Sequence, residues 1–116
     1  MGGALLEGWV VTEAVKAFMA LGRKPELYFW RSHDGLEIDL LIVIQSKLQP
    51  IEIKLTATPG AGHLAPIDRF IGAAGDEVHP QGILVYRTES ERALPNGHIA
   101  LPWLAFPQWL RARLTA

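Results

Sequence analysis

The chain has 116 residues, 49% hydrophobic and 20% charged, which fits one packed globular domain. It contains no cysteine, so disulfides, thiolate metal sites and cysteine nucleophiles are excluded and a reducing, cytoplasmic setting is expected. Eleven Lys and Arg stand against twelve Asp and Glu, a net charge of −1, and the basic residues are scattered; no autonomous nucleic-acid-binding face is announced. The opening "MGGALLEGW" has no charged region ahead of an apolar stretch, so no secretory signal is expected. The longest apolar run, Leu40 to Ile44, falls well short of the roughly 20 residues of a membrane-crossing helix, and no membrane partner is expected.

Ala4 to Leu21 is predicted as a helix. Leu6, Trp9, Val10, Ala17 and Ala20 share one face; Val11, Ala14, Val15, Phe18 and Leu21 form a second apolar group, which implies burial on most sides. Gly22 suits the C-terminal cap, with Arg23 and Lys24 at the negative end of the dipole. "ELYFWRS", residues 26 to 32, reads as a strand, "HDG" as a hairpin turn, Leu36 to Ile44 as a second strand, "QSKLQP" as another turn and Ile51 to Leu55 as a third strand. "TATPGAGH" is a loop. Leu64 to Ala74 follows as a helix with Pro66 in its first turn, and residues 82 to 87 as a short buried strand. "SERALPNG" is a polar connection, residues 98 to 104 a further strand weakened by Pro102, and residues 107 to 114 a terminal helix. The order predicts an α/β fold: a central mixed sheet with an antiparallel three-stranded meander, flanked by helices.

Charge interrupts the meander at Glu37, Asp39, Glu52 and Lys54. Strand alternation puts Leu36, Ile38, Leu40, Ile42 and Ile44 on one face, and Ile51, Ile53 and Leu55 on the matching face of the third strand. Glu37, Asp39, Glu52 and Lys54 then fall on the other side of the sheet. With Ser46 and Lys47 at the centre of the turn, Asp39 lies opposite Lys54 and diagonal to Glu52, their Cβ atoms at most about 7–8 Å apart. Two carboxylates at this spacing can share one hard cation, Mg²⁺ or Mn²⁺, with the Ile53 carbonyl as a further ligand. Lys54 would stand beside it to position a water or stabilise a charged phosphorus centre. Glu13 lies among apolar helix residues, where an unpaired charge is costly, and is expected to reach the cluster as an outer ligand; Glu7 is the weaker candidate. Arg31 and Thr56 flank the site and are candidates for touching phosphate. Glu37 is expected to pair with Arg31 rather than to act in catalysis.

Asp39, twelve intervening residues and then Glu52-Ile53-Lys54 resembles the D-x(n)-E-x-K signature of the PD-(D/E)xK phosphodiesterase superfamily. The blocks "LLEGWVVTEAVK", "LYFWRSHDGLEIDLLI" and "PIEIKLTAT" look like the C-terminal domain of unknown function carried by many bacterial and archaeal predicted AAA+ ATPases. The resemblance implies a restriction-endonuclease-like αβββαβ core plus a C-terminal helix. It also implies a metal-dependent nuclease acting on DNA, with Asp39, Glu52, Lys54 and Glu13 as its site and an AAA+ ATPase module as partner; an oligomer is compatible with it. The chain has no phosphate-binding loop of the G-x-x-x-x-G-K type, so a fragment of a longer ATPase-linked protein is expected. The competing readings are a surface salt-bridge ladder, worth under about 1 kcal/mol, a motif retained without activity, and a non-catalytic DNA-binding or protein-interaction module. His33, His63, His79 and His98 lack metal-ligand spacing and read as structural or surface residues.

Overall fold

In the computed structural model, which describes residues 2–87 and 89–116, the first helix α1 spans Gly3–Ala20. It buries Leu6, Val10, Ala14, Ala17 and Phe18. The two apolar groups therefore merge into one stripe, and Leu5 and Met19 stay exposed, so the helix is not enclosed on most sides as its sequence implies. Its end is a Schellman motif: Gly22, at φ 67°, donates to the Met19 carbonyl and Arg23 to that of Phe18.

Among the described residues the sheet has six strands: β1 (Leu27–Arg31), β2 (Glu37–Ile44), β3 (Lys47–Lys54), β4 (Ile83–Tyr86), β5 (Arg92–Ala93) and β6 (Ile99–Pro102), in the spatial order β1-β2-β3-β4-β6-β5. The β1–β2–β3 meander is antiparallel, β3, β4 and β6 run parallel, and β5 returns antiparallel to β6. The fold is thus mixed α/β, with three α-helices among the described residues. The second helix α2 (Ala65–Ala74) carries the chain from β3 to β4, and α3 (Phe106–Leu114) closes it. One face of the sheet packs under α1 and α3 through Leu40, Ile42, Ile51, Ile53, Ile83 and Val85; the other packs under α2 through Ile38, Leu41, Leu84, Tyr86 and Ala100. No described helix is long and apolar enough to cross a membrane.

Two details differ from the sequence pattern and both move the site. The β2–β3 turn is only Gln45–Ser46, with φ of 53° and 67°, and β3 begins at Lys47 rather than Ile51. Positive φ at both central residues is the geometry of a type I′ hairpin, which favours Asn-Gly. Pro50 fits inside β3 because β4 first pairs with it at Ile51. The double substitution Gln45→Asn/Ser46→Gly is expected to raise unfolding stability by about 1–2 kcal/mol, relieving two left-handed residues; equal denaturation midpoints would contradict it.

The second detail is a β-bulge in β2. Tyr28 pairs with Leu41 and Trp30 with Ile38, so Phe29 alone faces both Asp39 and Leu40. The bulge breaks alternation: Ile38 joins Leu41 in the α2 layer, while Leu40 and Ile42 belong to the α1 layer. The expected single apolar face running from Leu36 to Ile44 does not exist. Bulges of this kind bend the strand and re-aim a side chain, and here the side chain is Asp39.

Polar ties outside the meander are structural. His98 is buried; its Nδ1 accepts from the Gly82 N–H at 2.7 Å, so Nε2 carries the proton toward Asp68 Oδ1 at 2.6 Å, fastening α2 to the start of β6. His79 Nε2 donates to the Ile44 carbonyl at 2.7 Å.

Candidate functional site

The two-residue turn sets the hairpin register at Leu40↔Ile51 and Ile44↔Lys47. Continuing that register one step brings Asp39 opposite Glu52, not opposite Lys54. Asp39 and Glu52 thus stand side by side across the hairpin, near enough for the Asp39 charge to act on the Glu52 carboxyl. Asp39 is locked in place: its Oδ2 accepts the Ile53 N–H at 2.8 Å. Glu52 is enclosed, its side chain 3% exposed, and Lys54 Nζ lies 3.8 Å from Glu52 Oε2 with its own side chain 42% exposed. Glu52 Oε1 is buried with no hydrogen-bond partner among the described residues.

Such an arrangement is electrostatically unfavourable when both acids are charged. Burial pushes the Glu52 carboxyl up to about 8, the Asp39 charge and the hydrogen bond to Asp39 push the same way, and Lys54 only partly offsets them. A carboxyl raised to about 8 keeps its proton through most of the neutral range. A buried acid held neutral is either a structural proton-holding contact or a site whose charge is meant to be met by a cation.

The structure brings Asp39, Glu52, Lys54 and the Ile53 backbone together, and does not bring Glu13. Glu13 Oε1 meets Lys16 Nζ at 3.3 Å one turn along α1. From α1 it is Glu7, with Val11, that lines the cleft in front of Asp39. That cleft, of about 340 Å³, is completed by Phe29, Trp30, Arg31, Glu37, Ile38 and Ile53. Asp39 lines it; Glu52 and Lys54 do not, and as residues alternating with Ile51 and Ile53 they turn toward the α2 layer. Glu37 is paired with Arg31 both in strand register and as an ion pair. Thr56 Oγ1 accepts the Thr58 N–H at 3.1 Å and so caps its own loop. Phe29 is the cleft residue that sequence reasoning passed over; its only signal was an aromatic residue on an edge strand.

Among the described residues no three His, Asp or Glu side chains converge as a metal cluster. Two carboxylates do converge, and two suffice for Mg²⁺, which usually retains water and draws its other ligands from substrate phosphate. The unpartnered Glu52 Oε1 is the donor such an ion would engage.

An α-helix, an antiparallel meander carrying an Asp and a Glu-x-Lys, and a parallel extension behind a crossing helix define a mixed α/β domain with an acidic pair at the centre of its sheet. The chain belongs to the family described as "Domain of unknown function (DUF4143)", whose sequence model matches residues 2–106. No curated protein matches it.

Proposed function

We propose that this chain is a divalent-cation-dependent phosphodiesterase domain of the restriction-endonuclease-like PD-(D/E)xK kind, acting on DNA as the appendage of an AAA+ ATPase module in the cytoplasm. One observation carries the reading. Asp39, half-buried, and Glu52, buried, have twelve residues between them in sequence and stand side by side in the sheet, where Glu52 Oε1 lacks a partner among the described residues and the Lys54 ammonium lies 3.8 Å from the same carboxyl. A fold that wanted only stability would fill this position with apolar side chains, since burying ionisable groups costs several kcal/mol per ion.

Asp39 and Glu52 would hold Mg²⁺ or Mn²⁺, whose charge offsets both carboxylates and favours the charge developing on a phosphodiester. The chain's own groups do the rest. The Ile53 N–H fixes the Asp39 carboxylate, so the ligand is pre-oriented by backbone rather than by a mobile side chain. Lys54 sets a positive charge beside the Glu52 carboxyl, to orient water or to neutralise phosphate oxygens. Glu7, which lines the same cleft as Asp39, takes the outer-ligand role expected of Glu13.

The test is cleavage of plasmid or branched DNA in Mn²⁺, wild type against Lys54→Ala, with and without the cognate ATPase. A loss of about 10²-fold or more is expected for the variant. Folded wild-type protein that never cuts under either condition defeats the proposal. A second reading, a non-catalytic DNA-binding or protein-interaction module of the ATPase, is favoured by the two-carboxylate count and by the pairing of Glu13 with Lys16. It predicts no calorimetric signal with Mn²⁺, where the phosphodiesterase reading predicts one that Asp39→Asn abolishes.

A further inference from the structure

The mouth of the cleft carries a feature that cation binding does not require. Phe29 is 71% exposed on β1, a strand that is hydrogen-bonded on one side only. An exposed aromatic ring on a sheet edge invites aggregation and is normally replaced or covered. The bulge holds this ring in place, because Phe29 alone spans Asp39 and Leu40. Its neighbour Trp30 turns the other way and packs edge-on against Phe70 at 5.0 Å, so the strand is anchored while Phe29 stays free. Arg31, 74% exposed, lines the same cleft. Its contact with Glu37 uses only part of a fork that carries five donors, leaving N–H groups for an anion.

We propose that this cleft takes an unpaired nucleotide of a single DNA strand, its base stacked on Phe29 and its phosphate held by Arg31 beside Asp39. The inference rests on the phosphodiesterase reading and narrows its substrate. The faces of bases inside a duplex are covered by their neighbours, so an exposed ring offers intact duplex nothing. An unpaired base can stack on it, a contact that tolerates any sequence. A cleft of about 340 Å³ is at the small end of ligand sites, a scale for one nucleotide. Glu7, Glu37 and Asp39 outweigh Arg31 in charge, so the strand binds when a divalent cation is present and weakly without one.

The experiment is fluorescence anisotropy of a labelled short oligothymidine, and of a duplex of equal length, in Ca²⁺. It compares wild type, Phe29→Ala, Phe29→Tyr and Arg31→Gln, with size-exclusion chromatography alongside. The expected result is preference for the single strand. Affinity should fall about tenfold or more in Phe29→Ala, recover in Phe29→Tyr and become less salt-dependent in Arg31→Gln. Equal binding of duplex, undiminished binding by Phe29→Ala, or no strand binding overturns the inference. So does a wild-type dimer that Phe29→Ala dissolves while strand binding persists, since a second copy then covers the ring. Strand binding that needs Phe29 without cleavage in Mn²⁺ would sink the enzyme and spare the stacking site. Duplex cleavage indifferent to Phe29 would do the reverse.

Discussion

Replacing Glu52 by Gln is expected to flatten the pH dependence of unfolding across the window from 4.5, the ordinary carboxyl value, to about 8, the value in the fold. Between those limits the folded chain keeps a proton that the unfolded chain has released. An acid whose folded value is raised contributes full stability below the unfolded value and loses it as pH climbs to the folded one, so the wild type weakens as pH rises, by roughly 1 kcal/mol per pH unit. Gln cannot ionise, has nearly the same shape, and its amide can donate to Asp39 as the protonated acid does. The two stability curves should meet near pH 4.5 and separate by several kcal/mol at about pH 8. Guanidinium titrations at successive pH values read this directly. Parallel curves would mean that Glu52 ionises normally and that the pair is not strained.

How this strain arises also explains what the sequence could and could not disclose. The apolar spacing of α1, the Asp34-Gly35 turn, and the greasy runs of β2 and β3 are local signals, and α1, β1 and β2 lie close to where their patterns put them, while β3 starts four residues early, at Lys47. Pairing Glu37 with Arg31 was legible too, because a three-residue turn leaves little freedom in register. The β2–β3 register was not, since Gln45-Ser46 lacks the Asn-Gly chemistry that marks a two-residue hairpin and the chain accepts two left-handed residues instead. A shift of two residues keeps the face but trades Lys54 for Glu52 opposite Asp39, turning a salt bridge into an acid pair. The bulge at Asp39–Leu40 left no mark either: "EIDLLIVI" alternates as well without it, and only packing of Ile38 under α2 reveals it. β5 is two residues long and is set by β6 rather than by its own composition.

The helix glutamates make the same point at longer range. Glu7 and Glu13 are six residues apart and so point in well-separated directions around α1. Which of them looks at Asp39 depends on how α1 lies across the sheet. That is fixed by Phe18 and Val10 in the core and by α3, whose Leu114 carbonyl accepts from Arg23 at 3.2 Å. Helical periodicity alone ranked Glu13 first because it measures apolar surroundings. In the structure those surroundings are shared with a lysine one turn away, and an ion pair satisfies the carboxylate without a metal.

Mn²⁺ should compete with the proton that Glu52 keeps, and this gives the site its sharpest signature. If both carboxylates bind the ion, Glu52 must first release its proton, so the apparent affinity should rise about tenfold for each pH unit up to about 8 and level off above it. Calorimetry in buffers of different ionisation heat should report close to one proton released per ion at pH 6 to 7 and almost none well above about 8. Mn²⁺ at a hundredfold excess over its dissociation constant should also raise unfolding stability by about 2.7 kcal/mol, the gain expected when a ligand binds only the folded state. Glu52→Gln separates the pair's two functions: it should keep the fold, lose the proton release, and bind Mn²⁺ weakly with no pH slope. Asp39→Asn should lose binding while retaining a hydrogen bond from the Ile53 N–H through its amide oxygen. Binding that ignores pH, or that survives Asp39→Asn, would place the ion elsewhere and leave the buried Glu52 as a structural proton-holding acid.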